Sequence, residues 1–488
     1  MARHHIRERA LRPTATAARM RLAALLAAAV WAASLVPAPV ADAGETGGGP
    51  GVVDAPSRAD RTVRTGVITA DGAWSWFSDP RAMYVDGRLV ACWVRSDGVL
   101  QFGEWIQSYG RSAVSDLEYG FPPDDHNCPA LIRTSDGRLT VFFAGHAETS
   151  QPVMSRTTAI PGDFSRWLEP RPIPTNTRGG GGVTYANPLP VPGFTDRAYV
   201  MWRGGNWKPT FSIGEYDPER AGWEWSDAHT LVAASGGRPY ARYRPFRSES
   251  IGVAFTNGHP RDKDNNVYFA LIKPDSRGWP VAYHSDGSRE REVPGAVTST
   301  VTADVVYDRV AEGGDDSWVW DVAFKADGTP VVAYATFTSR TSHMYHWACY
   351  SDSAWVSHVL LDDAGASIAD TTIHYPQYYY SGGIALDPND PCVVYLSRRN
   401  DVGGWDIEQW TTRDDGESWT SVPITSNEMV DNVRPFVPWG CPEGTHIVMW
   451  MSGRYDFYKS HRKASLAQYA GLRRFETAIR FWWESDSD

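Results

Sequence analysis

The chain is built of short apolar runs, each entered through a turn. VDGRLVACWV (85–94), SDGRLTVFFAG (135–145), RAYVMWRGG (197–205), NNVYFALIK (265–273), ADGTPVVAYAT (326–336), DPCVVYLSR (390–398) and GTHIVMWMS (444–452) share this form. Gly, Asp and Asn supply the turn backbone, and the β-branched and aromatic residues that follow suit a pleated strand. Hardly any stretch repeats with a helical period. The runs recur every 50 to 60 residues or so, about the spacing of propeller blades, in which one four-stranded sheet repeats around an axis.

The expected fold is therefore all-β: one seven-bladed β-propeller domain over residues 66–488, with six and eight blades as the neighbouring counts. The stretch from Leu466 to Asp488 either closes the ring or packs outside it. Thr412-Arg413-Asp414-Asp415-Gly416-Glu417-Ser418-Trp419 fits an Asp box, S/T-x-D-x-G-x-x-W. In that hairpin the Asp accepts from backbone amides and the Trp packs between blades, so its role is structural.

The first residues differ in kind. Arg3, Arg7, Arg9, Arg12, Arg19 and Arg21 lead into LAALLAAAVWAASLV and then Ala41-Asp42-Ala43. This pattern predicts a signal peptide over 1–43, cut before Gly44, a Gly-rich linker over 44–65 and a secreted mature protein. The apolar core falls short of the roughly 20 residues a membrane span needs, and no later segment is apolar enough to cross.

Net charge is -11 despite the basic leader, which removes the positive field a nucleic-acid binder uses. An acidic polymer can still be held where arginine and histidine cluster. The 22 Trp and 22 Tyr supply ring faces on which sugars stack. Five cysteines, Cys92, Cys128, Cys349, Cys392 and Cys441, are an odd number for an oxidising compartment, so at least one thiol stands outside any disulfide.

Four clusters carry chemistry. DDHNCPAL holds His126, and FFAGH places His146 twenty positions later, a separation that suits equivalent loop ends in one blade. GGGGVTYANP holds Tyr185 and Asn187, its glycines permitting close backbone approach to a ligand. MWRGGNWKP holds Arg203 and Trp207, and GRPYARYRPFR concentrates Arg238, Tyr240, Arg242, Tyr243, Arg244 and Arg247. The arginine fork matches paired carboxylate or sulfate oxygens. These groups include no obvious carboxylate pair of the kind most glycosidases use. A uronate lyase needs instead to neutralise the C6 carboxylate, remove the C5 proton and protonate the oxygen leaving C4, tasks within reach of Arg, His and Tyr.

At these motifs, together with FTNGHP (255–260) and YSGGIALDPNDPCVVYLS (380–397), the sequence resembles the BNR-repeat propellers that include ulvan lyases and related rhamnose-glucuronate lyases. The resemblance implies a seven-bladed propeller and β-elimination at a glucuronate or iduronate beside rhamnose, the product being a 4,5-unsaturated uronate. It assigns His126, His146, Tyr185, Arg203 and Tyr243 to catalysis, with Tyr240 as the alternative to Tyr243. Arg203 and one histidine would neutralise the carboxylate, and His126 with Tyr185 would move the protons. Asn187, Trp207, Arg238, Tyr240 and Arg242 are expected to bind substrate.

The resemblance also implies a metal site, with His259, Cys349 and His374 as matching positions and His343 or His346 as a fourth ligand. Such soft and borderline ligands suit a structural zinc, or another divalent ion, and would give one cysteine a task. No organic cofactor is expected, and the protein is read as a monomer. Two other readings compete: a propeller glycoside hydrolase releasing rhamnose from glucuronate, and a propeller that binds acidic glycans without turnover. A sialidase would need an arginine triad and a Tyr/Glu pair, which these motifs do not supply.

Overall fold

The computed structural model describes residues 61–486 apart from 107–108, 150, 177–179, 236, 261–264, 340–341, 361–378 and 456–474. The leader and His374 lie outside the described residues. Seven blades, each of four main antiparallel strands, form a ring, as expected. Their first strands are Ala82–Val85, Ala130–Arg133, Thr184–Pro190, Ala241–Phe246, Asp316–Phe324, Ile384–Leu386 and Asn432–Phe436. These strands touch one another from blade to blade, which places them innermost.

The core lies between blades. In the fifth blade Pro330–Phe337 is buried along its whole length, whereas Ala354–Val359 at the rim is largely exposed. A strand covered on both faces reads as an unbroken apolar run, so the middle strands are the ones visible in the sequence. The Asp box behaves as expected. Asp414 accepts from Thr412 Oγ1 at 2.9 Å and Ser418 N at 2.9 Å, and Trp419 meets Trp347 of the preceding blade edge-on at 6.1 Å.

The ring is closed by both ends of the chain. Arg61–Thr69 pairs with Phe475–Asp486, in register from Arg61 opposite Asp486 to Val67 opposite Arg480. The propeller thus reaches back to Arg61, inside the stretch read as linker, and the C-terminal tail supplies a strand of the last blade.

Innermost strands are not uniformly apolar. Arg242 pairs with Asp79 and, at 3.2 Å, with Asp321; Arg244 Nε donates to Val322 O at 3.1 Å. Asp321 also accepts from Leu386 N at 3.0 Å, and Asp79 pairs with Arg81 at 3.1 Å. All five side chains are buried. This network ties the segment before the first blade to blades four, five and six. Arg242, expected to hold substrate, is therefore placed in an internal ion network.

Two innermost strands carry a bulge at a residue with left-handed backbone: Tyr185 (φ 63) in blade three and Arg434 (φ 56) in blade seven. A bulge re-aims a side chain, and both of these point into the cluster described next.

Candidate active site

The site forms where first strands begin and second strands end. In blade two, Asp124 caps the single turn Asp125–Asn127 by accepting from His126 N at 3.1 Å, which holds the His126 ring at the head of strand Ala130–Arg133. His146 follows strand Leu139–Phe143. In blade three, Thr184 lies opposite Arg203 in the ladder, so Tyr185 and Arg203 emerge together. Ala147 N donates to Thr184 Oγ1 at 2.8 Å and joins the two blades there. Tyr240 precedes the first strand of blade four.

Four of the five residues assigned to catalysis, with Tyr240, make one contiguous group. The rings of His126 and His146 stack at 3.8 Å with an interplanar angle of 4°, and His126 lies 5.2 Å from Tyr185. The Arg203 guanidinium lies over Tyr185 at 4.9 Å and over Trp207 at 5.0 Å. It donates to Tyr240 Oη at 2.8 Å and to Thr184 Oγ1 at 3.2 Å. Its Nε is buried without a hydrogen-bond partner among the described residues. A buried donor of that kind is costly and suits an anionic ligand.

Tyr243 is buried to 3 % and lines a small cavity with Tyr185, Asn187, Arg203 and Tyr240, so of the two tyrosines Tyr240 makes the direct contact with Arg203. Asn187 is committed locally, accepting from Asp79 N at 2.8 Å and donating to Tyr185 O at 2.9 Å. Trp207 and Arg238 continue the site outward, with the Arg238 guanidinium 5.4 Å from the Trp207 ring. Trp207 has a left-handed backbone (φ 62), backed by Gly181: a Cβ there would meet Trp207 N at 2.9 Å.

Three carboxylate and guanidinium groups were not singled out in the sequence. Asp124 accepts from His126 Nδ1 at 2.7 Å and from His146 Nδ1 at 2.9 Å. Asp125 meets His126 Nδ1 at 2.8 Å and is itself paired with Arg434, which crosses from blade seven. Burial opposes charge on His126, but Asp124 and Asp125 outweigh it and raise the imidazole to about 9. Burial and the adjacent His126 lower His146 to about 4, against the pull of Asp124. Burial raises the Tyr185 phenol well above its ordinary range, and Tyr240 beside it adds to that.

Asp124, His126 and His146 bring three potential metal-binding atoms within 4.8 Å of one another. Ligands to one ion need lone pairs that converge, and two parallel imidazoles offer parallel ones. The 2.7 and 2.9 Å separations are those of hydrogen bonds to a shared carboxylate. Of the zinc ligands implied by the resemblance, His374 lies outside the described residues, and His259 and Cys349 do not come together. His259 packs on Trp318 at 4.7 Å. Trp318 shares its row of the sheet with Ala335 and Tyr345, whereas Cys349 pairs with Val331, four residues further along the strand. At ~3.3 Å per residue that is about 13 Å, too far for one ion. His346 donates to or accepts from Thr336 Oγ1 at 2.8 Å and stacks on Tyr334, and His343 meets Phe337 edge-on at 4.8 Å. The five cysteines are free thiols.

Residues 80–362, more than half of the chain, match the sequence profile described as BNR repeat-containing family member. Among solved structures the chain is similar to a PL25 ulvan lyase bound to -[GlcA(1-4)Rha3S]-, with 12% identity and a TM-score of 0.61 over 85% of this chain and 95% of that one. It is also similar to the polysaccharide lyase Uly1, with 9% identity and a TM-score of 0.55 over 86% and 98% of the two chains. At these identities the likeness is one of fold. No curated protein matches the chain. Among the described residues no helix is long and apolar enough to cross a membrane.

Proposed function

The chain belongs to the BNR repeat-containing family, and from that membership and the geometry of the cluster we propose that it is a polysaccharide lyase acting at a uronic acid linked to rhamnose. The observation that carries the reading is the convergence of Arg203, His126, His146 and Tyr185 from two adjacent blades, with a buried guanidinium Nε that calls for an anion. The likeness in fold to lyases, one of them bound to a glucuronate-rhamnose saccharide, supports the same substrate class.

Elimination asks three things of these groups. The Arg203 fork and a positively charged imidazole bind the C6 carboxylate and stabilise the negative charge that builds as C5–H breaks. A neutral imidazole accepts the C5 proton. The electron pair forms the C4–C5 double bond as the C4–O bond breaks, and Tyr185, kept as a phenol by burial, protonates the departing oxygen. Trp207 and Arg238, on the outer side of Arg203, suit the neighbouring sugar. The basic and apolar leader pattern supports export.

The test is absorbance in the near ultraviolet when the purified protein meets a panel of rhamnose-uronate polysaccharides. A 4,5-unsaturated product is the expected result. Release of free rhamnose without that absorbance would replace the lyase by a hydrolase. Polymer binding left intact by His126→Ala, with no turnover in the wild type to lose, would make the protein a binding module.

A further inference from the structure

We infer that Asp124 is a positioning residue that orients both histidines of the site through their Nδ1 atoms and divides their work, making His126 the cation that meets the carboxylate and His146 the base. The inference rests on the lyase reading and goes past it, since neither the sequence nor the resemblance singles out Asp124, and the resemblance leaves the base open between His126 and Tyr185.

The geometry carries the argument. One carboxylate accepts from both rings, Oδ1 from His126 at 2.7 Å and Oδ2 from His146 at 2.9 Å. Each ring is thereby fixed with Nδ1 toward Asp124, so each acts on substrate through Nε2. The rings lie 3.8 Å apart and parallel, a distance at which two buried imidazolium ions repel strongly. The pair therefore holds one positive charge. That charge belongs on His126, because its Nδ1 faces Asp125 at 2.8 Å as well as the carboxylate it shares with His146. Against its burial, Asp125 is held below the ordinary carboxylate range by His126 and by Arg434 behind it.

The surrounding charges agree. Asp124 and Asp125 from the capped turn, and Arg203 and Tyr185 from blade three, face the pair; behind them Tyr240 adjoins Tyr185, and Arg434 and Tyr455 from blade seven adjoin the aspartates. Arg203 disfavours a proton on His146, and the two aspartates favour one on His126. His126 is then charged below about 9 and His146 is neutral above about 4, leaving a broad window in which one is a cation and the other a base. Such divergence between neighbouring groups is what separates acid from base in one site. His126, expected to move a proton, is given the electrostatic task instead.

The titrations use the full mature protein with nitrogen-labelled histidine and need no substrate. In the wild type, nuclear magnetic resonance should show one ring charged through neutral pH and titrating near 9, and a second neutral with its proton on Nδ1; substitution of each histidine in turn identifies them. Asp124→Asn should move the upper titration down by roughly one unit or more and release the Nδ1 tautomer of His146. The alkaline limb of kcat against pH should move with it, and Asp124→Glu should restore part of the shift. Two rings titrating together near the ordinary imidazole value in the wild type would overturn the inference, as would an Asp124→Asn variant with both titrations unmoved. Failure of the lyase reading is separate: it appears as absence of unsaturated product whatever the titrations show.

Discussion

Replacing Arg203 with alanine removes a guanidinium whose position is set before any ligand arrives. Its Nη1 is held by Tyr240, its Nη2 by Thr184, and its face rests on Tyr185 and Trp207, which leaves Nε and the outer N–H groups for an anion. A hydrogen bond to a charged group is worth about 1.5–3 kcal/mol. Losing a two-point grip on a carboxylate should then cost about 3–6 kcal/mol, or roughly 10²–10⁴ in kcat/KM. Both parameters should suffer, because the carboxylate is bound in the ground state and gains charge in the transition state. Initial rates of near-ultraviolet absorbance against substrate concentration measure this, with thermal melts as the control for folding. Arg203→Lys should recover part of the binding but little of the rate, since an ammonium has the charge without the fork. A kcat/KM for Arg203→Ala within about threefold of the wild type, in a protein that melts normally, would refute the carboxylate-binding role.

Tyr185→Phe deletes the proposed proton donor and should lower kcat by ~10²–10⁴ with KM little changed; an unaltered rate in the same assay removes Tyr185 from the proton transfers. Asp321→Ala leaves Arg242 and Arg244 buried beside a lost partner, and chemical denaturation should show a loss of about 3–5 kcal/mol. A midpoint equal to wild type would show that the ion network contributes nothing. Gly181→Ala forces a Cβ to 2.9 Å from Trp207 N at a backbone φ of +89, so polymer KM should rise together with a modest fall in melting temperature. An unchanged KM would disconnect Trp207 from substrate.

Much of this molecule was legible before folding, and the exceptions have a common cause. Strands enclosed on both faces announce themselves as apolar runs, and the Asp box reads as a unit because its hydrogen bonds are local. His126, His146, Tyr185 and Arg203 stood out as chemically capable residues beside turn residues, and they do meet. Asp124 and Asp125 were in view beside His126 but read as turn residues, since a capping carboxylate and a catalytic one look alike in sequence. Arg434 is more than three hundred residues from Asp125, and only closure of the ring makes them neighbours. Its one local sign is the proline that follows it in the strand, which marks a bulge. Arg242 misled in the other direction: an arginine-rich segment suggests a binding surface, but alternation along the strand turns this one inward, where two aspartates from distant segments await it. Cys349 and His259 are both buried, yet register separates them.

The strand from Arg61 to Thr69 completes the blade begun at Asn432, so the earliest part of the body to leave the ribosome waits for the latest before it has a partner. Six blades can form in order as they are made, each from contiguous chain, while the seventh depends on a loop closure spanning nearly the entire polypeptide, an entropically slow event. Arg434, which steadies Asp125 behind the histidines, belongs to that last blade. Assembly of the ring and completion of the site are consequently one step, and a partly synthesised chain carries the histidines without the arginine that pairs with Asp125.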